Sequence, residues 1–240
     1  MINYLSSPLK PTLKRYFKIF IKQNNISIQR ALMYEALENL KLEGRVLDFG
    51  GGERSNYSHL ISKWILNGTY ESANISKKIN PTYILGEDGN IPVSKDTFDV
   101  ILSLNTFEHI FQIKKNLKEL KRVLKKGGVF IFSTPFIYRV HGCPDDYIRP
   151  TSSWWAQVLN DLEMQDINIK PLVWDPITTA FSICDGILPL SFLFRKIVPI
   201  YGLVYTWIKS KSATRYHPES VGMQLANFAQ GYIIIAKKKY

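Results

Sequence analysis

The sequence predicts an α/β fold built on a doubly wound, mainly parallel sheet with helices on both faces. Three observations predict it. Short apolar runs alternate with stretches of helical periodicity from residue 45 onward. Gly50, Gly51 and Gly52 follow directly on the strand-like run at residues 45–49, the carboxyl end of a strand where such sheets bind ligands. A chain of 240 residues, 45% hydrophobic and 13% aromatic, has the material for one domain with a sizeable core.

The first stretch carries Lys10, Lys14, Arg15, Lys18 and Lys22, interleaved with Tyr16, Phe17, Ile19, Phe20 and Ile21 and free of acidic residues. It reads as a helix that packs on the domain, with a helix lying on a membrane interface as the alternative. In residues 27–44, Ile28, Leu32, Ala36, Leu37 and Leu40 recur at helical spacing up to Gly44. RVLDF (45–49) is the first strand, and residues 55–66 form a helix closed by Asn67 and Gly68. TYESANI (69–75), TYIL (82–85) and TFDVILSL (97–104) are further strands. A helix at 113–124, with Leu117, Leu120 and Val123 on one face, is ended by Gly127 and Gly128. VFIFSTPF (129–136) is a strand, residues 152–165 a helix capped by Thr151 or Ser152, and residues 167–174 and 231–238 the last two strands.

Between those two strands, residues 181–208 are far more apolar than a surface connection. Arg195 and Lys196 split the run and Pro189 and Pro199 interrupt it, so neither half reaches the roughly 20 residues that span a bilayer. Two short helices are expected, serving as a lid, as extra core, or as a patch contacting lipid. The whole reads as a single domain, 1–240, with an amino-terminal helical segment (1–44), a ligand-binding core (45–136) and a substrate side (137–240).

A net charge of +11 points to an anionic partner without identifying it. Cys143 and Cys184 form neither a disulfide framework nor a zinc motif, and no metal site is expected. The amino terminus lacks an apolar core followed by a small-residue cleavage site, so a cytoplasmic location is expected, with membrane association through 181–208 left open.

The chemistry concentrates in D-x-G-x-G, Asp48, Gly50 and Gly52 with Gly51 between. Glycine lets the chain turn sharply out of a strand and brings backbone N–H groups against a ligand. A dinucleotide fingerprint would need a third glycine where Ser55 stands. Asp48 instead suits a ligand carrying an ammonium or sulfonium group, and S-adenosylmethionine carries both.

VLDFGGG, then GEDGNIPVSKDTFDVILSLNTFEHI, then LKELKRVLKKGGVFIFSTPF resemble the class I S-adenosylmethionine-dependent methyltransferases of the type 11 group over residues 46–136. The resemblance implies a Rossmann-like sheet of about seven strands with the last antiparallel. It implies that Asp48, Gly50, Gly51 and Gly52 surround the methionine part of S-adenosylmethionine, that Glu87 or Asp88 approaches the adenine, and that Asn105 lines the pocket. Where the family usually holds the ribose hydroxyls with an acidic residue, Asn74 aligns, and Glu71 stands three residues too early. Weaker cofactor binding is the expected consequence.

Glu108 and His109 match the family's E-H pair. The segment 136–151, containing HGCPDDYIRPT, resembles methyltransferases of bacterial surface-polysaccharide and lipopolysaccharide pathways. A sugar hydroxyl needs a base as the methyl group arrives, and His141, Asp145, Asp146 and His109 are the candidates. Arg149 suits a phosphate or carboxylate and Tyr147 a sugar ring. The expected activity is methyl transfer to a small-molecule or glycan hydroxyl, the acceptor being free or lipid-linked. A quinone or lipid-like acceptor and a non-catalytic binding protein are the alternatives. Nucleic acid is not expected as a partner, because SLNTFEH stands where an N/D-P-P-Y/F motif would be and the basic residues are scattered.

Overall fold

The structure, a computed structural model, describes residues 4–23, 25–86, 89–142, 145–212 and 221–240. It opens with α1 (Leu13–Tyr16), which continues as a π-helical turn over Phe17–Lys22, followed by α2 (Ile28–Ala36). The Thr12 and Ser27 hydroxyls cap these helices by accepting the Arg15 and Arg30 N–H groups. Next come β1 (Leu42–Phe49), α3 (Ser58–Trp64), β2 (Ile65–Asn74), β3 (Tyr83–Ile84) and β4 (Phe98–Leu104). They are followed by α4 (Ile113–Val123), β5 (Leu124–Pro135), α5 (Ser152–Asp161) and β6 (Met164–Leu172). The chain ends with α6 (Pro176–Cys184), α7 (Ser191–Ser212), α8 (Val221–Ala226) and β7 (Gly231–Lys238).

The strands form one sheet in the order β3-β2-β1-β4-β5-β7-β6. All neighbouring pairs are parallel except those of β7, which runs antiparallel to β5 and β6. The expected seven-stranded architecture is therefore what the chain adopts. Because β1 connects to β2 on one side and pairs with β4 on the other, the order reverses there, the place at which sheets of this kind bind ligands.

Side-chain alternation gives the sheet two apolar faces. Leu47 and Phe49 enter one layer with Phe107, Phe132 and Trp155, whereas Val46 enters the other with Phe20, Leu102 and Trp174. Burying each side chain of this size contributes about 1.5–3 kcal/mol. The basic amino-terminal segment packs on the second layer through Tyr16, Ile19 and Phe20, and the Phe20 ring meets Trp174 edge-on at 4.9 Å. Arg15 lies over Trp174 at 5.0 Å and pairs with Glu35 through both carboxylate oxygens.

Several boundaries differ from the sequence reading. Helix α2 stops at Ala36, and Gly44 lies inside β1 at φ +78°. Helix α3 stops at Trp64, so Asn67 and Gly68 belong to β2. A Cβ on Gly68 would come within 1.9 Å of the Gly44 carbonyl oxygen, so this glycine allows two strands to meet rather than ending a helix. The apolar run gives one short helix, α6, and one of 22 residues, α7, which continues through Pro199. Packing overrides the proline, because the Trp174 indole N–H donates to the Pro199 carbonyl at 2.8 Å. No helix among the described residues is long and apolar enough to cross a membrane.

Helix α7 approaches the domain at Gly202, where a Cβ would stand 2.4 Å from an Asp175 carboxylate oxygen and 2.6 Å from Trp174 Nε1. Gly202→Ala is therefore expected to destabilise the fold by about 1–3 kcal/mol despite its better helix propensity. Urea unfolding checks this, and a stabilised variant would contradict the packing.

Candidate active site

Two groups of residues converge at the carboxyl ends of β1, β2, β4 and β5. The first is the glycine loop. Gly50 leaves β1 at φ +90° and donates its N–H to the Ala73 carbonyl of β2 at 2.8 Å. A Cβ on Gly50 would lie 2.2 Å from Thr106 Oγ1, one on Gly51 1.8 Å from an Asp48 carboxylate oxygen, and one on Gly52 2.5 Å from the Ile79 carbonyl oxygen. The space three side chains would need is taken first by the protein itself. Among the described residues, the N–H groups of Gly51 and Gly52 have no acceptor.

Asp48 lies beneath this loop, fully buried, rather than open beside it as the sequence suggested. The Tyr57 hydroxyl donates to it at 2.9 Å and the Tyr70 hydroxyl at 2.8 Å. Burial pushes its carboxyl up to about 7, although the two hydroxyl donors favour the charged form. The tyrosines come from the start of α3 and from β2, so the carboxylate ties three elements together.

Asn74 ends β2 and is also engaged within the protein. Its amide N–H donates to the Gly50 carbonyl at 2.6 Å and its carbonyl accepts the Ser76 N–H at 2.8 Å. An acidic side chain could not make that donation, which gives asparagine a physical reason to stand there. Glu71 pairs with Arg45, which holds its carboxyl below the usual range. Glu87 and Asp88 lie outside the described residues.

Asn105 follows β4 at φ +50°, a conformation asparagine tolerates. It exchanges two amide hydrogen bonds with Gln29 of α2, at 3.2 and 3.3 Å, and accepts the Ser133 hydroxyl at 2.9 Å. Gln29 is almost fully buried, and sequence reading missed it because helical periodicity marks it only as one more buried-face position.

The second group is built from the turn Phe107–His109 and the segment after β5. Glu108 has no solvent exposure, and neither carboxylate oxygen has a hydrogen-bond partner. Burial pushes it up to about 8, and the nearby Arg149 charge only partly opposes this. His109 Nε2 stands 3.6 Å from Glu108, while His109 Nδ1 lies 2.5 Å from the Asp145 carbonyl oxygen. The His109 and His141 rings are 5.2 Å apart. One ligand atom from each of Glu108, His109 and His141 falls within 4.8 Å of the others, a set able to pass a proton or to hold a cation. No metal site was expected from the sequence, which gives no local sign of this trio because His141 lies 32 residues beyond His109.

Asp146 is occupied. Arg149 grips both its oxygens and the His141 N–H donates to it at 2.8 Å. Burial alone would raise its carboxyl, but these donors hold it below the usual range. Asp145 accepts the Tyr147 hydroxyl at 3.1 Å. Burial pushes His141 below its ordinary value, so the ring is neutral at pH 7. Tyr147 and Phe111 form an exposed aromatic pair at the rim, their centroids 5.5 Å apart.

The Asp48 carboxyl titrates higher in the folded chain than its ordinary value of 3.8. Its contribution to stability is therefore full below about pH 4 and is lost as the pH rises through about 7. Measured against Asp48→Asn, the wild type should lose up to about 1.4 kcal/mol per pH unit in that window. Urea unfolding of both proteins from pH 4 to 8 checks this, and parallel pH profiles would contradict it.

A family model described as a methyltransferase domain matches residues 21–168. Sarcosine/dimethylglycine N-methyltransferase of Halorhodospira halochloris is 29% identical over 92 residues, covering 34% of this chain and 32% of that protein. An uncharacterized protein of Methanocaldococcus jannaschii is 27% identical over 128 residues, 53% of this chain and 50% of the relative. The chain thus spans about a third and about half of the lengths of these two relatives. Among solved structures, a SAM-dependent methyltransferase from Archaeoglobus fulgidus superposes with a TM-score of 0.53 at 13% identity, covering 88% of this chain and 93% of that one. Haemonchus contortus phosphoethanolamine N-methyltransferase 2, solved with S-adenosyl-L-methionine, gives 0.51 at 13% identity, covering 95% and 56%. These likenesses show the fold, while the family match over more than half of the chain shows the lineage: the chain belongs to the methyltransferase domain family, whose cofactor is S-adenosylmethionine.

Proposed function

We propose that the chain transfers the methyl group of S-adenosylmethionine to a hydroxyl of a sugar or glycan acceptor, of the kind assembled into surface polysaccharide. The observation that carries this reading is the segment 136–151 folded against Glu108 and His109, which places a neutral histidine at the carboxyl ends of β4 and β5.

When bound, S-adenosylmethionine supplies an electrophilic methyl group on a sulfonium. The Gly51 and Gly52 N–H groups would hold its carboxylate, and the buried Asp48, to the extent that it is ionised, would favour its ammonium. Asn74 acts on this end by fixing the Gly50 carbonyl rather than by replacing the missing ribose acceptor. Asn105, held by Gln29 and Ser133, is assigned to the same pocket, and Glu87 or Asp88 is assigned to the adenine.

On the acceptor side, the His141 tautomer that donates Nδ1–H to the Arg139 carbonyl, 3.3 Å away, keeps a lone pair on Nε2. That nitrogen takes the hydroxyl proton as the methyl group arrives. Asp146 is a poor base because Arg149 already satisfies it, so its role is to position His141. Asp145 positions His109 through its carbonyl, and Glu108, held protonated at neutral pH, keeps a neutral carboxyl beside His109. The Tyr147–Phe111 pair offers a face for a sugar ring.

Methylation of an amine is a second reading, supported by the resemblance to the N-methyltransferase of Halorhodospira. A neutral amine brings its own lone pair and gains less from a base. His141→Ala is expected to slow transfer to a hydroxyl roughly 100-fold while leaving cofactor affinity unchanged. S-adenosylhomocysteine release with nucleotide-sugar, glycan-lipid and small amine acceptors checks this. An unchanged rate on the best hydroxyl acceptor removes His141 from proton transfer, and turnover of amines alone replaces the hydroxyl reading.

A further inference from the structure

We propose that the outward face of α7, with the amino-terminal helix beside it, docks on a bilayer surface rich in anionic lipid. This goes beyond methyl transfer and does not depend on which acceptor is used.

Helix α7 is built inside out. Its protein-facing stripe is Arg195, Pro199, Gly202 and Thr206, at spacing i, i+4, i+7 and i+11, and these residues are small or polar. Arg195 pairs with Asp185 at 2.9 Å and donates to the Ile26 carbonyl. The opposite face presents Ile197, Ile200, Val204, Trp207 and Ile208 to solvent, with Trp207 61% exposed. A helix on an ordinary protein surface has the reverse arrangement. These side chains are 46–61% exposed among the described residues, and a contiguous apolar area of this kind marks an interaction surface.

The amino-terminal helix is apolar on both sides and extends this surface. Tyr16, Ile19 and Phe20 point inward, whereas Leu13, Phe17 and Ile21, spaced four residues apart, are exposed. The Tyr16 hydroxyl donates to the Lys196 carbonyl at 2.7 Å, so the two helices lie side by side.

Charge selects the occupant. Residues 4–23 and 186–212 contain no acidic residue, yet they contain Lys10, Lys14, Lys22 and Lys196, besides Lys18, which pairs with Glu38. A second copy of this chain would oppose lysines to lysines. An anionic bilayer instead accepts the apolar side chains at its headgroup boundary while lysine ammonium groups reach lipid phosphates. The mode is interfacial, since no described helix can span. Arg139 of the acceptor-side segment donates to the Asp185 carbonyl at 3.1 Å, so the docking surface adjoins the acceptor-side loop.

Vesicle flotation of the purified full chain tests this, comparing phosphatidylcholine alone with phosphatidylcholine containing about 30% phosphatidylglycerol. The chain should float with the anionic vesicles, and the bound fraction should fall as salt is raised. Ile200→Asp with Val204→Asp, at exposed positions, should weaken binding about tenfold or more with an unchanged circular dichroism spectrum. Lys14→Glu with Lys22→Glu should weaken it in the same direction. Failure to float with anionic vesicles, equal binding to neutral ones, or wild-type binding by the folded double-aspartate variant would overturn the proposal. A stable dimer that ignores vesicles would hand the surface to a second copy and overturn it equally.

Discussion

Asp48 is fully buried, yet it stands near the carboxyl end of β1 with two tyrosine hydroxyls donating to it and a glycine loop folded over it. A buried carboxylate is costly unless hydrogen-bonded, so Tyr57 and Tyr70 are drawn to it, and with them the start of α3 and the middle of β2. The loop can close over this knot only if its residues lack side chains, since a Cβ on Gly50, Gly51 or Gly52 would strike Thr106, Asp48 or Ile79. The same closure leaves the Gly51 and Gly52 N–H groups without an acceptor among the described residues. The glycines thus serve packing first.

The acceptor side uses opposite environments for two other carboxyl groups. Asp146 is held ionised by Arg149 and accepts the His141 backbone N–H, while Glu108, whose carboxylate oxygens have no hydrogen-bond partner, is pushed by burial towards its protonated form. Groups whose environments drive their protonation apart are what proton transfer near neutral pH requires.

Much of the fold was legible because burial writes directly into the sequence. β4 and β5 are covered on both faces and read as continuous apolar runs, and the Thr151 cap and the glycine motif depend only on neighbours in the chain. What was illegible depends on contacts distant in sequence. Gly44 and Gly68 resemble helix stops until the two strands are seen to touch. Asn74 reads as a lost acid until its donation to Gly50 is seen. Glu108 and His141 come from different loops, and nothing local announces that they meet. For residues 181–208, composition declared an apolar segment, but only the fold shows that its polar stripe faces inward.

The central claim is that the loop over Asp48 is a cofactor site despite the asparagine at the end of β2. Calorimetric titration with S-adenosylmethionine and S-adenosylhomocysteine tests it without knowledge of any acceptor. Saturable binding of both, with dissociation constants of roughly micromolar order, is the result this structure predicts. Absence of binding by demonstrably folded protein would contradict it, and would make the chain a methyltransferase fold that has kept its glycine loop for packing alone.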